Sequence, residues 1–218
     1  MSKTMKTKIG ILGSGQVARV LGSGFLKYGF DVMLGTRDAS KLSDWQETGG
    51  GLVGSFSEAA AFGSIVVLAV KGTMAGSALE LAGAVNLAGK VVIDTTNPIA
   101  DLPPVNGVLQ YFSRLDASQM EQLQKEFPEA RFVKAFNSVG SALMIDPGFG
   151  DVRPTMFICG NDADARKQVS SIVGQFGWEA EDMGAAEAAR AIEPLCMLWC
   201  IPGFARNEWM HAFKLLKK

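Results

Sequence analysis

Small residues near the start of the chain have the spacing of a phosphate-binding turn. Gly13, Gly15 and Ala18 follow an apolar run and open a helical pattern. In such a turn the first glycine permits a tight bend, the second lets the backbone approach a pyrophosphate, and the third small residue lets helix and strand pack closely. The amides at the helix start then bind phosphate oxygens. An alternative is a tight strand-to-helix turn without a ligand. The residues predicted to contact a dinucleotide here are Gly13, Ser14, Gly15, Gln16 and Val17.

The corner after the second predicted strand indicates which dinucleotide binds. A protein that binds NAD usually has an acidic residue there, which accepts a hydrogen bond from the ribose 2′-hydroxyl. This chain instead has Thr36 and Arg37, with Lys41 one helical turn further on. A threonine hydroxyl can donate to a 2′-phosphate, and an arginine can pair with it and stack on the adenine. The corner therefore predicts NADP(H), the alternative being that Arg37 is a solvated charge and Asp38 is the ribose ligand.

Side chains that could serve as acids, bases or metal ligands are few. His211 is the single histidine, which excludes most histidine-based triads. It is more often a surface residue than a base. Cys196 and Cys200 would need further ligands to hold zinc, so no metal is expected. Hydride transfer suits such a chain, because the cofactor carries the chemistry and the protein mainly positions two rings face to face.

Alternating strands and helices must hold these residues in place. The run from 65 to 70 is apolar throughout, which is typical of a central strand covered on both faces. Ser57 and Asp116 are predicted to cap helices that reach 62 and 127. The pattern predicts an α/β fold with a doubly wound (Rossmann), mostly parallel sheet over residues 1–184. Residues 185–218 are predicted to form a short C-terminal helical extension that packs on the sheet or across a homodimer.

Composition excludes several classes of partner. The 21 basic and 22 acidic residues nearly cancel, so no basic surface for nucleic acid or an anionic membrane is expected. The first eight residues are polar and lysine-rich, which argues against a secretory signal. Three cysteines make no disulfide framework and fit a reducing compartment. A cytoplasmic protein acting on a small molecule is therefore expected.

Five short motifs, read in order, resemble the coenzyme F420-dependent NADP oxidoreductase family. The likeness is greatest to the branch that contains the cytosolic reductase domain of six-transmembrane ferric reductases. The resemblance implies that the glycine turn holds the pyrophosphate, that Thr36, Arg37 and Lys41 hold the 2′-phosphate, and that later strand ends surround the nicotinamide. The motifs are Ile11-Leu12-Gly13-Ser14-Gly15, Gly35-Thr36-Arg37, Asn97-Pro98, Lys134-Ala135-Phe136-Asn137 and Ile158-Cys159-Gly160-Asn161-Asp162. The implied ring-site residues are Ala69, Val70, Asn97, Pro98, Ala135, Phe136 and Asn137.

The second substrate is predicted to be a flat redox acceptor. F420-reducing members tend to have histidine where this chain has Asn137, which makes a flavin (FAD or FMN) an alternative to F420. The acceptor is expected at the carboxyl edge of the sheet, beside the irregular segment that carries Tyr111 and Phe112. Asn137 and Ser138 would give neutral hydrogen bonds and Lys71 would stabilise negative charge on the reduced ring. A module that senses the NADP redox state without turnover is the competing interpretation.

Overall fold

A parallel sheet with the spatial order β3-β2-β1-β4-β5-β6 forms the centre of the computed structural model, which describes residues 6–218. All neighbouring strands in it are parallel. The order along the chain reverses at the first strand, and ligands of doubly wound sheets bind outside the carboxyl ends of the strands at such a point. The strands are β1 (Lys8–Leu12), β2 (Asp31–Gly35), β3 (Leu52–Gly54), β4 (Ile65–Leu68), β5 (Val91–Asp94) and β6 (Arg131–Lys134).

A second, two-stranded parallel sheet extends this one on the β6 side. It consists of β7 (Thr155–Ile158) and β8 (Glu179–Asp182). A single antiparallel bridge joins it to β6, where the Lys134 N–H donates to the Cys159 carbonyl at 2.9 Å. The predicted mostly parallel, doubly wound α/β fold is thus confirmed.

Helices cover both faces of the sheet and bury its apolar side chains in two clusters. All four residues of β4 are buried, as its uninterrupted apolar run predicts. The lysine-rich start of the chain lies partly outside the described residues. The helices are α1 (Gln16–Lys27), α2 (Ser43–Gly49), α3 (Phe56–Phe62), α4 (Ala75–Ala82), α5 (Ala84–Leu87), α6 (Gln119–Glu126), α7 (Ala163–Gln175) and α8 (Ala189–Arg206).

Two predicted helix caps are wrong by two residues. Ser55, not Ser57, caps α3, and Ser118, not Asp116, caps α6. In each case the serine accepts from a backbone N–H three residues on, and the glutamate there accepts from the serine N–H, so two N–H groups are satisfied reciprocally. A serine followed by a glutamate three residues later is the sequence signal for the first residue of α3 and of α6.

The helical region after β4 is divided in two, and the predicted C-terminal helical extension needs correction. The first is interrupted at Gly83, whose φ of +84° separates α4 from α5. The last helix ends at Arg206, because Asn207 takes a left-handed conformation. Residues 213–217 lie along the small sheet, where Thr155 N–H donates to the Phe213 carbonyl at 2.8 Å. Within residues 6–218, no helix is both long and apolar enough to cross a membrane.

Candidate functional site: a dinucleotide cleft and an adjoining hollow

The two glycines of the turn after β1 serve different purposes. Gly13 has a φ of +145°, and a Cβ there would overlap the carbonyl of Ala69 at the end of β4. Only glycine fits this position, because the turn needs both the unusual backbone conformation and the close approach. A Cβ at Gly15 would meet nothing within 4 Å. Gly15 therefore leaves open space on the outer side of the turn, where a ligand's phosphates would lie.

A cleft of about 480 Å³ runs along the carboxyl edge of the sheet over this turn. Arg37 and Lys41 lie at its β2 side, and Thr95, just after β5, lies at the other side. The cleft thus crosses the switch point at β1, where an extended dinucleotide is expected. Of the residues predicted to bind the cofactor, it is lined by Gly13, Ser14, Gly15, Gln16, Val17, Thr36, Arg37, Lys41, Ala69 and Val70.

The corner after β2 presents two cations to the cleft. Arg37 and Lys41 are exposed, and neither side chain has a hydrogen-bond or ion-pair partner within residues 6–218. Asp38 is already engaged, because its carboxylate accepts from the Ser40 N–H at 3.1 Å and the Ser40 hydroxyl at 2.6 Å. These bonds hold the pKa of Asp38 below its usual range. Asp38 thus caps the short turn that follows it, and the free cations suit a 2′-phosphate.

A second hollow, of about 490 Å³, adjoins the cleft. The two share Val70, Lys71 and Thr95 in their walls. Lys71 is exposed, and its Nζ lies 3.4 Å from a carboxylate oxygen of Asp101, which also lines the hollow. Of the residues predicted around the acceptor and the nicotinamide, Val70, Lys71 and Asn97 line this hollow.

Asn137 and Ser138, which are predicted to contact the acceptor, lie behind the walls of the two hollows. They are only 3% and 4% exposed and line neither hollow. The amide nitrogen of Asn137 donates to Asn97 Oδ1 and to the Ile192 carbonyl, both at 3.0 Å. The Asn97 amide nitrogen donates in return to the Asn137 carbonyl at 2.8 Å. The Asn137 amide nitrogen therefore connects Asn97 to α8.

Three other predicted ring-site residues are also buried away from the two hollows. Pro98, Ala135 and Phe136 line neither of them. β6 ends at Lys134, and Phe136 has a φ of +59° that turns the backbone. Its ring packs in the core, with its centroid 5.8 Å from that of Phe176. Ala135 and Phe136 thus form part of the hydrophobic core.

The irregular segment between β5 and α6 is anchored rather than free. Tyr111 donates its hydroxyl to the Glu193 carbonyl on α8 at 2.8 Å, and burial raises the pKa of this tyrosine. This contact anchors the segment to α8. Phe112 is 44% exposed and lies in a separate groove beside α6. His211 stacks on Trp199 and lines neither the cleft nor the hollow.

A fully buried charge cluster beneath the ring end escaped sequence reasoning. Lys134 Nζ lies 2.6 Å from Asp94 Oδ2 and 3.0 Å from Glu193 Oε1, and it donates to the Thr96 carbonyl at 2.8 Å. Burial lowers the pKa of Lys134, but the two carboxylates outweigh it and raise the pKa. Asp94 and Lys134 are register partners at the ends of β5 and β6. The signal was a charge of each sign at the carboxyl ends of the neighbouring strands β5 and β6.

Glu193 connects this cluster to the helical layer. Its carboxylate also accepts from the Gln119 and Met120 N–H groups at the start of α6, both at 3.0 Å. Asp94 in turn accepts from the Thr96 N–H and hydroxyl at 2.9 and 2.7 Å. The segment 95–97 borders both hollows. It is held in place by hydrogen bonds to a buried charge cluster whose members come from β5, β6 and α8.

The sheet order, the switch point and the glycine turn define a dinucleotide-binding domain. The family model for "NADP oxidoreductase coenzyme F420-dependent" matches residues 8–98. The chain is similar to the crystal structure of a candidate F420-dependent NADP reductase from Arthrobacter sp. FB24, with 31% identity and a TM-score of 0.89. That alignment covers 96% of this chain and 99% of the other.

Two curated relatives agree with this match. The chain is 32% identical over 205 residues to the metalloreductase STEAP3 of Rattus norvegicus, which is 89% of this chain and 38% of that protein. It is 32% identical over 113 residues to the F420-dependent NADP reductase of Methanocaldococcus jannaschii, 51% of this chain and 50% of that protein. The chain belongs to the F420-dependent NADP oxidoreductase family. It spans half or less of the length of these two relatives.

Proposed function

We propose that this chain transfers hydride between NADPH and a flat acceptor such as a flavin (FAD or FMN) or coenzyme F420. The observation that carries the proposal is the junction of the cleft and the second hollow at Val70, Lys71 and Thr95. An NADP molecule with its 2′-phosphate at Arg37 has its nicotinamide toward that junction. An acceptor ring in the second hollow then faces the nicotinamide across a shared wall.

The residues at the junction suit such a reaction. Hydride transfer needs the donor and acceptor atoms about 3 to 3.5 Å apart and water kept away. A rigid backbone segment beneath the two rings therefore favours the reaction. The segment 95–97 has this property, because Lys134 and Asp94 hold it from below. Lys71 would stabilise the negative charge that develops on the reduced acceptor. Its partner Asp101 is exposed, so the ion pair between them can open when the acceptor binds. NADPH supplies the hydride itself.

The test is NADPH oxidation by the purified chain when it is offered F420, FMN, FAD, riboflavin or a quinone in turn. Turnover with one or more acceptors is the expected result. Lys71→Met should then lower the turnover number several-fold and leave the dissociation constant of NADPH within about twofold, because removing one electrostatic stabiliser acts on the reduced acceptor alone. Lys167→Met is the matched control, since Lys167 is an exposed lysine on α7 that lines neither hollow.

Tight NADPH binding without turnover on every acceptor would contradict the proposal. It would favour the competing function, a module that senses the NADP redox state. Unchanged turnover in Lys71→Met, with an acceptor that is used, would instead move the acceptor away from the second hollow.

A further inference from the structure

Arg19 connects the two phosphate-binding segments of the cleft, a role that the sequence analysis missed. It lies in the first turn of α1, where its N–H bonds the Gly15 carbonyl at 3.1 Å. Its Nε donates to the Ser14 carbonyl at 3.2 Å, in the glycine turn. Its Nη2 donates to the carbonyl of Lys41, in the turn after β2. One guanidinium therefore spans the loop expected to hold the pyrophosphate and the loop expected to hold the 2′-phosphate.

The turn after β2 has few other attachments to the glycine turn. The strand ends are joined by the Gly13 N–H, which donates to the Gly35 carbonyl at 3.0 Å. Beyond Gly35 the turn is held by the Thr36 N–H, which donates to the Gly54 carbonyl at 2.9 Å, by the bonds between Asp38 and Ser40, and by the buried side chain of Leu42. In the part of the chain that the structure describes, no side chain other than Arg19 hydrogen-bonds both segments. Arg19 does not line the cleft.

We propose that Arg19 is a positioning residue that sets the preference for NADP over NAD. By holding the Lys41 backbone at a fixed distance from the glycine turn, it keeps the Lys41 ammonium where a 2′-phosphate meets it while the pyrophosphate lies on the turn. Arginine suits this task, because Nε–H and Nη2–H diverge in one rigid plane and reach two separate carbonyls. A lysine has the charge but no such fork.

The consequence differs between the two cofactors. NADP uses both segments, so without Arg19 its binding must also order the turn that carries Lys41, and this ordering weakens affinity. NAD has no 2′-phosphate and gains little from an ordered turn. Arg19 therefore affects the ratio of the NADP and NAD dissociation constants more than it affects the rate of hydride transfer. Because only binding is involved, the inference stands apart from which acceptor the chain reduces.

The experiment is calorimetric titration of NADP and NAD into the full chain and three variants. Arg19→Met should raise the dissociation constant of NADP about tenfold, the usual cost of a lost charge-assisted hydrogen bond, and that of NAD by about twofold or less. Arg19→Lys should behave nearly like Arg19→Met. Lys27→Met is the control with the same charge change, since Lys27 lies two turns further along α1 and pairs with Asp146. It should leave the ratio unchanged.

Three outcomes would overturn the assignment. Full affinity for NADP in Arg19→Lys would mean that charge alone matters, and equal losses for NADP and NAD would mean that the whole cleft is disturbed. The third is an unaltered rate of amide hydrogen exchange at residues 39–42 in Arg19→Lys without ligand, because a released turn must exchange faster. The exchange measurement also decides the case if Arg19→Met folds poorly.

Discussion

The two ends of the cleft neutralise charge in opposite ways. At the phosphate end, Arg37 and Lys41 are exposed cations whose partners are absent from the described chain. At the ring end, Lys134 is completely buried with Asp94 and Glu193, so the charges there are satisfied within the protein. The cations at the phosphate end are available to a ligand, whereas the charges at the ring end hold the protein structure together. Substitutions at the first should therefore alter binding, and substitutions at the second should alter stability.

The largest effect is expected from Lys134→Met. This change leaves the Asp94 and Glu193 carboxylates buried without their cation, and breaking one partner of a buried ion pair costs about 3 to 5 kcal/mol. Urea denaturation should show a fall of this size in the free energy of unfolding. Lys71→Met is the matched control, because Lys71 also pairs with an aspartate but both side chains are exposed. Its cost should be within about 1 kcal/mol. Equal costs for the two variants would remove the distinction between the two ends.

Arg37→Ala should have the next largest effect, and it should act on binding alone. Loss of a charge-assisted pair to phosphate costs about 1.5 to 3 kcal/mol, or roughly tenfold to over a hundredfold in NADP affinity. NAD binding and the free energy of unfolding should change little, since Arg37 has no protein partner in the described residues. Calorimetry with both cofactors measures this. An equal loss of affinity for NAD and NADP would show that Arg37 does not bind the 2′-phosphate.

Gly15→Ala separates ligand space from protein packing within the glycine turn. The backbone at Gly15 has a φ of −78°, which alanine adopts readily, and a Cβ would meet no protein atom within 4 Å. Stability should hold or rise by about 0.4 to 1 kcal/mol, because alanine has less freedom when unfolded. NADP should bind several-fold more weakly, since the methyl group occupies the space where the backbone approaches the pyrophosphate. Thermal unfolding and calorimetry on the same sample test both halves, and unaltered NADP affinity would place the pyrophosphate elsewhere.

The contrast between the ends also explains how much the sequence could predict. The phosphate end is made from two short stretches, residues 13–17 and 36–41, whose spacing follows from local turn and helix geometry. The fold could also be predicted from the sequence, because an uninterrupted apolar run such as residues 65–68 indicates a strand that is buried on both faces. The ring end depends on which distant residues meet, and nothing local tells that Glu193 on α8 reaches Lys134 on β6. The hydrogen bonds from the Asn137 amide nitrogen to Asn97 and Ile192 could not be predicted for the same reason.

The smallest effect concerns the ion pair that joins α6 to α8 on the surface. Glu121 accepts from Arg190 Nη2 at 2.6 Å and from the Ser118 hydroxyl at 2.7 Å. The hydrogen bond from Arg190 is the main cause that lowers the pKa of Glu121 to about 2, from an ordinary value near 4.5. Because the folded state holds the proton less tightly, the stabilisation is complete above about pH 4.5 and is lost as the pH falls toward 2.

Glu121→Gln keeps the shape of this residue and removes its titration. Wild type should exceed the variant by less than about 1 kcal/mol in the free energy of unfolding at pH 7, since the pair is largely at the surface. The gap should close as the pH approaches 2, where the wild-type carboxyl takes up a proton. Urea denaturation of both proteins across this range gives the difference at each pH. A gap that stays constant with pH would assign the stabilisation to the uncharged capping bonds with Ser118 and not to the pair with Arg190.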